Sequence, residues 1–221
     1  VMPQVLGVGY GVTEDAMLHV YGFGTLLIIL AAKIIATAIS LGWGFSGGVF
    51  SPALVVGAVC GFATAYTTGS PYLGVLAGVF AGMGMGLLFG FLTQTLATNQ
   101  VATGLALTIF GTGLSGLIGA PLVGHAIDGL PQIHIPLLGD IPFLGMLLFQ
   151  HDIMVYLAVI MVGLCAWVLN ATRAGLIIRA VGDNHDSAHA LGYSVFGVRL
   201  LAVMFGGMMA GLGGAYLPLV L

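Results

Sequence analysis

Six runs of apolar residues divide this chain: 22–41, 52–66, 72–92, 101–118, 153–170 and 198–219. A helix needs about 20 mostly apolar residues to cross a bilayer. The pattern therefore predicts an all-α, polytopic membrane protein with about six transmembrane helices. The third run carries Gly74, Gly78, Gly82, Gly86 and Gly90, four residues apart throughout. That spacing drifts slowly around a helix, so the glycines form one smooth stripe against which another helix packs closely. The last run carries a second small-residue face, Ala202, Gly206, Ala210 and Gly214.

Composition agrees with the pattern. Of 221 residues, 59% are hydrophobic and 5% charged, whereas soluble domains carry about 25% charged residues. Four Lys/Arg and seven Asp/Glu cannot build a water-facing surface, so the missing surface faces membrane lipid. A net charge of −3 argues against nucleic acid as a partner. Cys60 and Cys165 lie inside apolar runs and read as small hydrophobes rather than a disulfide framework. No basic stretch marks a cleavable signal peptide at the start.

Charge also orients the chain. Arg173, Arg179 and Arg199 are three of its four basic residues. The positive-inside rule puts the loop 171–197 in the cytoplasm of a cell inner (plasma) membrane. Counting spans backward puts 119–152 outside, 93–100 inside, 67–71 outside and 42–51 inside. The polar stretch with Thr93, Gln94, Asn99 and Gln100 is then either a cytoplasmic turn or a break lining a translocation pathway.

Within 171–197, Asp183 or Asn184 can cap a helix of about two turns and Gly192 can close it. Ala188 and Ala190 on such a helix would let another protein approach its backbone. No G-x-x-x-x-G-K-[ST] phosphate loop is present, so the chain is not expected to hydrolyse ATP itself.

The run Thr172-Arg173-Ala174-Gly175-Leu176, Arg179-Ala180-Val181-Gly182-Asp183-Asn184 and Ala188 through Arg199 resembles inner-membrane permeases of ATP-binding cassette importers. The similar group is the branched-chain amino acid, ribose and nucleoside type. The resemblance covers about 62–221, through Gly69-Ser70-Pro71, Asn99-Gln100-Val101 and Ala210 to Tyr216. It implies a permease region over 61–221, importing a small polar solute such as a sugar or nucleoside. Its implied partners are a separate ATP-binding cassette ATPase, a second permease subunit, identical or homologous, and an extracytoplasmic substrate-binding protein. It implies no cofactor. It also implies that a coupling helix near 183–192 docks on the ATPase, with Gly182, Asp183, Asn184, Asp186, Ala188 and Gly192 as its residues.

Residues 1–60 are instead similar to a fragment of the chloride channel and chloride/proton antiporter family, chiefly in Gly48-Val49-Phe50-Ser51-Pro52. A glycine turn entering a helix presents free N–H groups at a positive dipole end, which suits an anion. The resemblance implies an anion site at Gly48, Val49, Phe50 and Pro52, although that family's gating-glutamate segment is absent. The two patterns meet within about 52–66. The chain thus reads as a fusion of two membrane-protein fragments. The alternatives to the permease reading are a chloride channel or antiporter fragment and a fusion that transports nothing.

Other motifs weigh little. His185-Asp186-Ser187-Ala188-His189 is similar to the zinc pattern H-E-x-x-H, but Asp is a shorter base and no third ligand is nearby. His125, His134, His151, Asp128, Asp140 and Asp152 read as solvated residues of the outer loop. No metal site is expected. Lys33, within the first run, is read as reaching toward an interface along its aliphatic stem.

Overall fold

The computed structural model describes residues 22–42, 50–125, 127 and 152–220. Each apolar run forms a helix, because backbone groups in lipid must find hydrogen-bond partners within their own segment. The helices are α1 (Phe23–Gly42), α2 (Phe50–Thr68), α3 (Pro71–Gln94), α4 (Gln100–Gly119), α5 (Ile153–Ala171), α6 (Arg173–Asp183), α7 (His185–Ala190) and α8 (Val195–Val220). A short 3-10 turn, Ala120–Leu122, extends α4. Among the described residues, five helices are long and apolar enough to cross a membrane: α2, α3, α4 with its extension, α5 and α8. The first apolar run contributes the shorter stretch Gly24–Ala36 within α1, which carries Lys33. Among the described residues the fold is thus all-α and polytopic. The chain divides into two compact units, Val1–Ser46 and Gly47–Leu221. α1 belongs to the first, and α2 to α8 belong to the second.

The second unit is built on a seam of backbone contacts among α2, α3 and α8. Lipid tails are as apolar as the side chains, so helices associate by close packing rather than by burial from water. The glycine stripe of α3 supplies that closeness. A Cβ at Gly74 would lie 2.6 Å from the Gly61 carbonyl oxygen of α2. One at Gly78 would meet Ala215 of α8, and would lie 2.9 Å from the Gly57 carbonyl oxygen of α2. Further along, Gly82 faces Gly207 and Gly211, Gly86 faces Val203 and Met204, and Gly90 faces Leu200. The Gly82 and Gly207 contacts are reciprocal: each glycine faces the other's carbonyl oxygen, the geometry of paired Cα–H···O contacts.

The facing surface of α8 differs from the sequence expectation. Residues Gly207, Gly211 and Ala215 meet α3, while Gly214 meets the Leu54 backbone of α2. Ala210 is buried in the same core, but Ala202 is exposed and Gly206 has open space around it. The helix carries small residues at adjacent pairs, 206/207, 210/211 and 214/215. A spacing of four in the sequence fits either member of each pair. Only the two neighbours settle the choice: Gly207, Gly211 and Ala215 face α3, and Gly211, Gly214 and Ala215 also meet α2.

α4 joins this core along α2, with Gly111 against Pro52. Thr64, Thr108 and Thr112 return their hydroxyls to carbonyls one turn back, at 2.8–2.9 Å, so these polar groups stay satisfied in an apolar setting. No residue of α5 is buried.

The seam fixes which helix ends lie together. Gly90 near the end of α3 meets Leu200 near the start of α8. At the opposite end Ala65, Val75 and Leu219 cluster, with Ile127, Met154 and Tyr216 against them. The connections 95–99 and 184–194 therefore share one end of the unit. The start of α5 belongs to the other.

Candidate functional site

The end that carries Arg173, Arg179 and Arg199, all exposed, is built from three successive caps. Thr172 makes the first. Its hydroxyl donates to the Val168 carbonyl at 2.6 Å and accepts from the Gly175 N–H at 3.2 Å. One side chain thus ends α5 and starts α6. The corner is tight: a Cβ on Gly175 would lie 2.6 Å from the Leu169 carbonyl oxygen. α6 is amphipathic, with Val181 buried and Leu176 exposed. The sequence reading expected one short helix here; the structure has two.

Asn184 separates them. Its extended backbone breaks the helix, its N–H closes α6 on the Ala180 carbonyl at 3.0 Å, and its side-chain oxygen accepts from Ser187 N–H at 3.1 Å. Between the two residues proposed from sequence, Asn184 rather than Asp183 is the cap. Eight residues later the chain turns at Gly192, whose φ of +87° lies in the left-handed region. Gly192 N–H donates to the His189 carbonyl and Tyr193 N–H to the Ala188 carbonyl, at 2.9 and 3.2 Å. This pair of bonds is the Schellman arrangement, and glycine adopts its backbone without Cβ strain. Ser194 then accepts from Gly197 N–H at 3.3 Å and opens α8.

Gly182, Asp183, Asn184, Asp186 and Gly192 all lie on the exposed surface of this joint, together with Ala190 and Leu191. Ala188 does not: it is 2% exposed. Its methyl group packs inward, so of the two alanines on α7 it is Ala190 that is exposed.

The turn between α3 and α4 lies at the same end. Thr93 donates to the Phe89 carbonyl at 2.8 Å. Thr98 donates to the Leu92 carbonyl at 2.9 Å and shares a 2.8 Å bond with Thr103. Asn99 caps α4, accepting from Val101 and Ala102 N–H at 3.0 and 3.2 Å. Gln100 is the exposed first residue of that helix. Gln94 reaches across to α8: with its carboxamide oriented so that donor meets acceptor, its amide nitrogen donates to the Phe196 carbonyl at 3.2 Å and its oxygen accepts from Leu200 N–H at 3.3 Å. No local pattern points to this contact, because Gln94 and Phe196 are far apart in the chain.

The glycine-loop candidates divide. Gly48 and Val49 lie outside the described residues. Phe50 is the exposed first residue of α2. Pro52 sits in the first turn and is fully buried against Gly111. Gly111 is about 16 Å along α4 from Gln100 at 1.5 Å per residue, so α2 begins level with the middle of α4.

At the opposite end, Asp152 departs from its expected place as a solvated loop residue. It is 6% exposed and accepts a 3.3 Å hydrogen bond from the Tyr216 hydroxyl of α8. His125 packs edge-on against Tyr66, with ring centroids 4.8 Å apart. His134, His151, Asp128 and Asp140 lie outside the described residues.

Comparison with known proteins places the chain. Residues 17–221 match the family described as branched-chain amino acid transport system/permease component. The chain is 37% identical over 170 residues to an ABC transporter permease protein of Haloferax volcanii named for glucose, covering 75% of this chain and 52% of that protein. It is 29% identical over 210 residues to the guanosine ABC transporter permease protein of Bacillus subtilis, covering 85% and 64%. Against an H(+)/Cl(−) exchange transporter of Vibrio campbellii it is 33% identical over 134 residues, covering 56% and 28%. No solved structure matches the chain. It thus spans about half to just under two thirds of the permease relatives' length. With five helices able to cross a membrane and a family match running from residue 17 to residue 221, this multi-pass membrane protein belongs to the permease component family of branched-chain amino acid transport systems.

Proposed function

We propose that the chain is part of a permease subunit of an ATP-driven importer. It works with a separate ATP-binding cassette ATPase, a second permease subunit and an extracytoplasmic substrate-binding protein. The transported solute is small and polar, a sugar or nucleoside, in keeping with relatives named for glucose and guanosine. One observation carries the coupling role: α7 is held between the Asn184 cap and the Gly192 turn, exposed at the arginine-bearing end of the unit. Both fastenings are backbone-directed, so α7 moves with α6 and α8 rather than flexing as a loop. The ATPase docks on its outer face around Ala190 and Leu191, which puts 171–197 in the cytoplasm and 119–152 outside. Closure of the ATPases on ATP pushes α7 and tilts α8.

The test uses the complete transporter in liposomes. Ala190→Trp adds bulk on the exposed face and leaves the buried face alone. Substrate-stimulated ATP hydrolysis should be lost while membrane insertion stays normal. Normal stimulation in that variant would remove α7 from the coupling role.

The exchange-transporter similarity favours a second reading. Residues 1–60 would carry a chloride-channel-like segment ahead of the permease-like 61–221, with an anion near Gly48 to Pro52. The permease reading is preferred because its family match runs through that boundary, from residue 17. Chloride flux without ATP would support the second reading. Insertion with no flux of any kind would instead mark a fusion without transport.

A further inference from the structure

Gln94 occupies an unusual position in the ladder of α8. The Phe196 carbonyl and the Leu200 N–H are the two halves of a single i to i+4 rung of that helix. The Gln94 amide donates to the first at 3.2 Å and accepts from the second at 3.3 Å. Among uncharged side chains only a carboxamide offers an N–H donor and a carbonyl acceptor side by side. One turn earlier in α3, Gly90 leaves room for Leu200: a Cβ there would stand 2.6 Å from the Leu200 side chain. The last turn of α3 therefore grips the first two turns of α8 by shape at Gly90 and by hydrogen bonds at Gln94.

The grip sits next to the joint. The Gly192 turn and the Ser194 cap are all that separate α7 from α8, and both are closed by hydrogen bonds. Phe196 is the second residue of α8. A displacement of α7 thus reaches the rung held by Gln94 within one helical turn. From there the contacts of α3 continue through Gly86, Gly82 and Gly78 to α8 and α2. Thr93 and Asn99, by contrast, use their polar groups within their own turn.

We infer that Gln94 is a positioning residue for transport: it ties the start of α8 to α3, so that motion delivered at α7 moves the two helices together. This rests on the permease reading above and adds the residue through which the motion passes. It replaces, for Gln94, the role of lining the pathway.

The experiment reconstitutes the permease at its complete natural length with its ATPase and binding protein, and measures solute uptake and ATP hydrolysis together. Gln94→Leu removes both hydrogen bonds with little change in volume. Basal hydrolysis should stay close to wild type, while solute moved per ATP falls about thirtyfold, the scale of two lost hydrogen bonds of ordinary net strength. Hydrogen exchange locates the break. On ATP binding the wild type should change protection at both 195–200 and 86–94, and the variant at 195–200 alone. Gln94→Met keeps the side-chain length and also loses both hydrogen bonds; it should show the same loss, and it carries the comparison where Gln94→Leu fails to assemble. Wild-type protein with no ATP-driven uptake overturns the permease reading itself. A coupled wild type with unchanged solute per ATP in both variants overturns the role of Gln94 alone. Lower protein yield with an unchanged ratio marks ordinary packing and also overturns it.

Discussion

Gly82→Ala tests the seam most directly. Its added Cβ would stand 2.7 Å from Gly211 Cα and 2.8 Å from Gly211 N, and would also meet the Gly207 carbonyl oxygen. Ordinary carbon contacts lie at about 3.5–4.0 Å, so α3 and α8 must part by about 1 Å at this level. Every contacting atom is backbone, and none can swing aside. Overpacking costs about 1–3 kcal/mol when side chains can adjust; here we expect the upper end, about 3 kcal/mol. The internal control is Gly84→Ala, two residues along the same helix, where a Cβ has nothing within 4 Å. That change should lie within about 0.5 kcal/mol of wild type. The assay is the fraction of detergent-solubilised protein that stays monodisperse after heating. On the scale of about 2–4 °C per kcal/mol for chains of this length, Gly82→Ala should lower the midpoint by about 6–12 °C. Equal midpoints for the two variants, or a larger fall for Gly84→Ala, would refute the assignment of the α3–α8 contact.

Two further outcomes follow from single contacts. Asn184→Ala removes the acceptor for Ser187 N–H and should cost α7 about 1 kcal/mol, seen as faster amide exchange at 187–188 without a change in the thermal midpoint of the unit. Tyr216→Phe leaves the buried Asp152 carboxylate without its hydroxyl donor and should cost about 1–3 kcal/mol. Combining it with Asp152→Asn should cost less than the two changes summed, and strict additivity in that double-mutant cycle would show that the pair does not interact.

Local patterns in the sequence predicted local structure well. The six apolar runs predicted helices at the right places, since a segment in lipid has few alternatives to a helix. The capping residues of α7 were also readable, because a cap acts over three or four residues of neighbouring chain. The reading failed where a second element made the choice. α6 was missed because its short apolar run, Leu176 to Ile178 with Ala180 and Val181, lies between Arg173 and Asp183 in a segment read as a loop. Ala188 was placed outward on size alone, whereas the packing of α7 turns it in. The anion-loop candidates remain half outside the described residues, and the half that is described consists of an exposed phenylalanine and a buried proline.

The sequence by itself determined that this chain lives in a membrane, how many apolar segments it has, and which polar residues can start and stop helices there. Each of those follows from composition or from interactions a few residues long. The glycine stripe of α3 was legible in the same way, as a capacity for close packing. What filled that capacity was decided by the tertiary structure. A run of paired small residues in α8 offers two faces of nearly equal merit, and only the simultaneous approach of α2 and α3 selects between them. The same holds for Gln94 and for Asp152: a polar side chain beside an apolar run reads as pathway or loop until the partner from a distant helix is in place.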